Sequence, residues 1–370
     1  MPSADLNPTF EKAPVAAQSA LWIALALGLS VGSVVCVGDE PAVARLRRLE
    51  LTEVWTKDVA SHSTIAKTPV GTNESSLPVL ATVSDGKVFS VCMVPYCLNV
   101  HSSAGELVFA KYDSRGGALG VVPFGDGALV LKMRKSDSLE YVTEAKSSEG
   151  AYFTTNIPEL QLRDEPVMAV SAGQTIWLLL WHRGVCAIRG GHVYRRIVRQ
   201  LEDDPGNTIC AVHERQALVA SADGDIMSFT LDENLEVIKR DWSVNSSGPK
   251  IVSLHRSSFY SAVQVLDSNG LVSTVNLDTG VRSGSHQIDV SGEIVCSFQR
   301  QHLTHVACGT SNGAVIVADW NQPNATVARQ VFSGPVLSVS LTDEALTATD
   351  ENGHVTYFSI AKRGNRTQPQ

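Results

Sequence analysis

The sequence lacks the short motifs that usually mark catalysis. It has no Gly-x-x-x-x-Gly-Lys stretch, so there is no loop to wrap backbone amides around a phosphate. It has no Gly-x-Ser-x-Gly elbow to expose a serine nucleophile and no His-Glu-x-x-His to set two imidazoles on one helical face. Charge is scarce, at 18% of 370 residues, and 30 basic residues stand against 38 acidic ones. That balance leaves no electrostatic footprint for a nucleic acid at the level of the whole chain. There is no Cys-x-x-Cys among Cys36, Cys92, Cys97, Cys186, Cys210, Cys296 and Cys308. The odd count and irregular spacing point to buried free thiols in a reducing compartment rather than a disulfide framework. No stretch carries the charged and apolar faces of a long amphipathic helix.

Charge is missing altogether between Lys12 and Asp39. The gap holds SALWIALALGLSVGSVVCVG, residues 19–38, long enough to span a bilayer, which takes about 20 apolar residues. No basic segment precedes it, as a signal sequence requires. Gly28, Gly32 and Ser33 weaken a membrane helix, and Gly38-Asp39-Glu40-Pro41 ends the run with turn chemistry. Two buried strands are the favoured reading, and a membrane or targeting segment is the alternative. Four Asn-x-Ser/Thr sequons, at Asn73, Asn245, Asn324 and Asn365, add weak support for secretion.

A repeated hairpin fills the rest. In ALVASADGDIMSFTL, residues 217–231, two apolar runs meet at Asp223-Gly224. The pattern returns with turns at Asn269-Gly270, Asn312-Gly313 and Asn352-Gly353, and upstream at Asp85-Gly86. Such dipeptides suit hairpins because they tolerate positive φ. From Gly224 the turn glycines follow at intervals of 46, 43 and 40 residues. A blade of four strands repeats every ~40–45 residues in propellers. Around Gly224 the flanks TICAVHE and EVIKRDW supply the two further strands. Fainter hairpins turn near His182-Arg183-Gly184, at Ser136-Asp137 and at Asp39-Glu40. The sequence therefore predicts an all-β, WD40-like β-propeller over residues 1–362, with a disordered tail at 363–370. The tally favours eight blades, with seven as the alternative. An N-terminal strand, PTFEKAPV, is expected to close the ring and remove the sheet edges that an open array would expose.

Candidate chemistry is thin. SRGGALG, residues 114–120, has glycines but no lysine and no helix, so it reads as a turn. His302 and His305 are spaced for a helix, yet QHLTHVACG reads as a turn entering a strand, where positions three apart face opposite sides. Glu202-Asp203-Asp204 before Pro205-Gly206 reads as a solvated inter-blade loop, short of the oxygen ligands that a cation site needs. Arg45, Arg47 and Arg48, and Arg195, Arg196 and Arg199, read as exposed faces of outer strands. They lack interleaved aromatics for stacking on bases and are the interaction candidates, because arginine is enriched at protein interfaces. Trp242 and Trp320, in RDW and ADW, read as packing between blades, with a binding hot spot as the alternative. No catalytic residue, metal ligand or cofactor is expected.

The strand, Asp/Asn-Gly, strand repeat resembles the WD40-repeat family over nearly the whole chain. Its motifs are degenerate: VADW at 317–320 stands where the family often has Trp-Asp, while FTLD, VNLD and FSIA stand elsewhere. Gly191-His192 and Gly353-His354 match the family's Gly-His but sit at the wrong place in the blade. Residues 208–280 resemble, in strand spacing and turn positions, the middle blades of the small WD-repeat nucleoporins of the nuclear-pore outer ring, the Y complex. That resemblance implies a non-catalytic scaffold subunit of a large complex at the nuclear envelope, with protein partners and roles in protein and mRNA transport. Neither direct nucleic-acid binding nor a small-molecule substrate is implied. An adaptor in vesicle traffic or ubiquitin ligation, in the cytoplasm, and a secreted or membrane-tethered propeller remain the alternatives, since a fold does not name its partner.

Overall fold

The computed structural model describes residues 49–362 apart from the connecting segments 60–78, 93–95, 114–116, 125, 133–138, 145–150, 157–165, 173–174, 181–183, 190–191, 198–207, 222–223, 232–237, 245–247, 257–261, 299–304 and 320–321. All regular structure among the described residues is strand, and no described helix is long and apolar enough to cross a membrane. The expectations for residues 19–38 and 363–370 lie outside the described residues.

The described strands form seven antiparallel sheets of four. Blade one is β2 (Val79–Ser84), β3 (Lys87–Cys92), β4 (Tyr96–His101) and β5 (Leu107–Asp113). Blade two runs from β6 (Ala118–Phe124) through β7 (Gly127–Lys132) and β8 (Leu139–Glu144) to β9 (Tyr152–Asn156). Blade three spans β10 (Pro166–Ala172) to β13 (His192–Ile197), with β11 (Thr175–Leu180) and β12 (Gly184–Arg189) between. Blade four is β14 (Thr208–His213), β15 (Gln216–Ala220), β16 (Ile226–Leu231) and β17 (Ile238–Val244). Blade five is β18 (Ile251–Arg256) to β21 (Arg282–Gln287), enclosing β19 (Ala262–Asp267) and β20 (Leu271–Asn276). Blade six is β22 (Ile294–Phe298), β23 (His305–Thr310), β24 (Ala314–Asp319) and β25 (Gln322–Gln330). Blade seven joins β26 (Val336–Leu341), β27 (Ala345–Asp350) and β28 (His354–Lys362) to β1 (Leu49–Asp58) from the other end of the chain. Each first strand meets the first strands of both neighbouring blades, so the ring is closed.

The blade number is seven rather than the favoured eight. The extra hairpin of the tally, at Asp39-Glu40, lies outside the described residues. The closing strand is also shifted: β1 pairs with β28 from Leu49↔Lys362 to Asp58↔His354, where PTFEKAPV was expected. The closure is pinned from both sides. Arg329 of blade six donates to the Leu51 carbonyl at 2.8 Å, and Trp55 stacks on Tyr357 at 5.6 Å.

The apolar runs follow from radial position. A middle strand is covered on both faces by adjacent blades, so β11, TIWLLL, is buried at every position. The outermost strands meet water, and β21, RSGSHQ, has no fully buried residue. Clusters of buried side chains fill the spaces between blades. Trp177, Phe229 and Met227 pack between blades three and four, and Leu346, Phe358 and Val315 between six and seven. Truncating one such Leu or Phe removes its transfer energy and leaves a cavity, at about 2–5 kcal/mol.

The last four blades share one turn. Ser221, Asp267, Thr310 and Asp350 each accept, through a side-chain oxygen, the amide four residues on, at 2.9–3.1 Å. Their carbonyls accept the amides of Gly224, Gly270, Gly313 and Gly353, whose φ values are 85–86°. In blades five to seven this is a three-residue loop, a type I turn closed by a left-handed glycine; residues 222–223 of blade four lie outside the described residues. Asn269, Asn312 and Asn352 keep negative φ, so glycine alone uses the left-handed freedom there. Asp85-Gly86 is different: both residues have positive φ, 47° and 68°, as a two-residue type I′ turn needs. It also joins the first and second strands of its blade, whereas the other four join the second and third.

Candidate functional site

Antiparallel order sorts the loops by face. Turns between second and third strands share one face with the links to the next blade. On that face Gln287 and Gln330, the last residues of β21 and β25, repeat one arrangement. Their side-chain amides donate to the carbonyls of Asn269 and Asn312 at 2.7 and 2.6 Å, fixing turn to outer strand. The rim of the ring is its set of outermost strands, each with one edge that pairs with no other described strand.

Most described edges carry devices that discourage another strand from pairing. β17 exposes Lys239, Arg240 and Asp241, and its pairing with β16 is bulged. β21 is polar and bulged, with Gly284 at positive φ. β1 exposes Glu50 and Glu53 and bulges before Trp55. Charges, bulges and Pro blunt an edge, whereas an apolar edge invites strand addition. β5, LVFAKYD, is likewise bulged in its pairing with β4, at Val100/His101, and differs in its side chains. Leu107 is 53% exposed and Val108 38%, Ala110 is exposed, and the Lys111 ammonium is drawn onto Glu140.

Glu140 is the hub of the strongest polar cluster. It is fully buried on β8 and accepts Lys111 at 2.5 Å, Lys132 at 3.1 Å and the Tyr96 hydroxyl at 3.1 Å. Lys111 also donates to Thr154 at 3.1 Å, and Lys132 lies 5.3 Å from the Tyr96 ring centre. Burial pushes the Glu140 carboxyl up, but the two ammonium groups outweigh it and hold its pKa below the ordinary carboxylate value. An ionised, fully enclosed carboxylate paired to two lysines offers no proton to a substrate; it ties blade one to blade two.

Other pairs are local. His354 Nδ1 lies 2.9 Å from Asp350 Oδ2 within a turn, and no hydroxyl or thiol hydrogen-bonds this imidazole among the described residues. His305 faces Asp319 across β23 and β24 at 3.9 Å, and His302 lies outside the described residues. No three His, Cys, Asp or Glu converge on a metal-sized site among the described residues. Of SRGGALG, residues 114–116 lie outside the described residues, and Ala118–Gly120 begin β6.

Arg195 and Arg196 fall on β13, the outermost strand of blade three, opposite Cys186 and Val185. Arg45, Arg47, Arg48, Arg199, the 202–204 acids and Trp320 lie outside the described residues. Trp242 packs between blades four and five and donates to the Leu277 carbonyl at 2.7 Å. Cys92, Cys97, Cys186, Cys210, Cys296 and Cys308 are free thiols, five of them buried. Sequence reasoning missed β5 because edge status depends on blade phase. The look-alike turn at Gly86 is displaced by one strand, which hides that LVFAKYD is outermost.

No protein-family model matches the chain, and no curated protein sequence matches it. Solved structures do. Raptor from Chaetomium thermophilum superposes with a TM-score of 0.59 at 11% identity, covering 86% of this chain and 30% of that one. The Pan2 WD40 domain of Neurospora crassa gives 0.58 at 12%, covering 87% and 98%, and BamB from Moraxella catarrhalis 0.50 at 13%, covering 84% and 100%. This chain thus spans under a third of the Raptor chain. At such identities the likeness shows the propeller fold alone, with a WD40 domain among the neighbours.

Proposed function

We propose that the protein is a non-catalytic interaction scaffold that engages other proteins through the rim of its propeller. The observation that carries this reading is the outer edge of β5, which pairs with no other described strand and exposes Leu107, Val108 and Ala110. A partner strand laid there gains a backbone ladder and buries apolar side chains, the usual form of strand addition. Arg195 and Arg196, on another outermost strand, are proposed as secondary contacts. The test is purification of the tagged chain from native extract. A partner should co-purify in stoichiometric amount and be lost from Leu107→Lys/Val108→Lys, which charges the edge without touching a blade interface. Retention of every partner by that variant, with the fold intact, rules out this edge.

The finer reading is a subunit of the nuclear-pore outer ring, acting in protein and mRNA transport. It is supported by the strand spacing and turn positions of residues 208–280 and by the four-bladed run of identical turns around them. A tagged copy is expected at the nuclear rim. A diffuse cytoplasmic signal would favour the adaptor reading instead, and a glycosidase-sensitive, membrane-bound fraction would favour the tethered propeller.

A further inference from the structure

Cys92 ends β3 and Cys97 lies directly opposite it on β4, as the last pair before the turn. Directly opposed residues of an antiparallel pair face the same side of the sheet, and both side chains enter one cluster with Ala345, Val355 and Tyr357 of blade seven. Their Cα separation is fixed by the ladder at about 4.5 or 5.5 Å, depending on which kind of pair they form. Both values fall inside the range that a disulfide spans, ~4.4–6.8 Å. No backbone movement is required to join them. The contrasting pair is Cys296 and Cys308, which lie near each other in blade six but pack into different inter-blade clusters, on opposite faces of their sheet.

We propose that Cys92 and Cys97 are a disulfide-forming pair, oxidised by a small peroxide and stapling the second and third strands of blade one beside the closing blade. The reaction begins at Cys97, the less enclosed of the two at 6% exposure against 1%. The neighbouring Cys92 thiol favours the Cys97 thiolate against the opposing effect of burial, and Asn99 Nδ2 donates to the Cys97 sulfur at 3.6 Å. The thiolate is the nucleophile in such chemistry. It attacks one peroxide oxygen, the O–O bond breaks, and hydroxide leaves to become water, giving a sulfenic acid at Cys97. The Cys92 sulfur then attacks the Cys97 sulfur, the S–O bond breaks, and a second water departs with the proton of Cys92. Two thiols are oxidised by two electrons in all, and one peroxide is reduced to two waters.

The test uses the full chain and hydrogen peroxide. Chymotrypsin cuts after Tyr96, so the two cysteines fall on different peptides that only a disulfide holds together. After peroxide treatment the intact mass is expected to fall by two hydrogens. The peptide ending at Tyr96 and the one beginning at Cys97 should migrate joined and separate on reduction with dithiothreitol. In Cys92→Ser the second step is blocked, and a dimedone adduct should accumulate at Cys97. The proposal is overturned if wild-type protein, under peroxide that oxidises its methionines, keeps the two peptides separate, whether their thiols are free or Cys97 carries added oxygen. It is equally overturned if dimedone labels Cys97 of Cys92→Ser no more than the buried Cys210.

Discussion

Blades four to seven and blades one to three are built from the same sheet by different means. In the later blades one local device recurs: a side-chain oxygen at Ser221, Asp267, Thr310 or Asp350 caps the turn that its glycine closes. In the earlier blades the described hairpin turn is of another type and joins other strands, and the junction of blades one and two is fastened by Lys111, Lys132 and Tyr96 around Glu140. The outermost strands differ as well: those of blades four and five are charged or polar, and that of blade one is apolar. Repetition stabilises each later blade from within, whereas blades one and two depend on a contact between blades.

The contrast can be broken most strongly at its charged centre. Glu140→Gln leaves Lys132 buried without a counter-charge, and such losses cost about 3–5 kcal/mol. Urea unfolding should show a shift of that size; a change under about 1 kcal/mol would mean that apolar burial alone holds blades one and two together. Next in size is a pair of glycine substitutions. A Cβ on Gly313 would stand 2.1 Å from the Phe332 carbonyl oxygen, while one on Gly86 meets open space. Gly313→Ala should cost about 3 kcal/mol or more, through both clash and φ, and Gly86→Ala about 1–2 kcal/mol, through φ alone. Equal losses would show that the two turn types bear equal strain.

Acid provides a third comparison. Burial of His255 on β18 lowers its imidazole pKa from 6.5 to about 4. The unfolded chain therefore binds a proton in this window that the folded chain refuses. Stability from this group is complete above the unfolded value and falls as pH drops from 6.5 towards 4, by about 3 kcal/mol. Glu140, whose folded pKa is depressed, loses its contribution only as pH falls through the carboxylate range, below that of His255. Unfolding curves of wild type and His255→Gln, taken across that window, should diverge first in the wild type. The smallest effect is expected at a single cap. Asp267→Ala removes one acceptor for the amides of Asn269 and Leu271, at about 1–2 kcal/mol, read as a lower thermal midpoint.

Much of this architecture is legible in residues 208–362, where Asn-Gly turns, apolar runs and a period near that of a blade coincide. Legibility fails where a local signal is ambiguous about its place in the blade. Asp85-Gly86 is as good a hairpin turn as Asn269-Gly270, yet it joins a different pair of strands, and only the ladder from Val79↔Cys92 to Ser84↔Lys87 reveals that. The interaction candidates suffer in the same way. Arg195 and Arg196 do lie on an outermost strand, but nothing in the run LVFAKYD marks it as outermost, since its place in the blade is set by the sheet order.

The sequence by itself determined strands, hairpins and the repeat, because alternation along a strand and the caps of a turn act within about four residues. Only the tertiary structure decided that the described ring has seven blades, that Leu49–Asp58 closes it, and that β5 is the outermost strand of its sheet. It alone brought Lys111 to Glu140, 29 residues away, and enclosed the carboxylate. The physical reason is that closure and blade contacts are set by which sheets fit face to face around a whole circle, a condition that no single segment encodes.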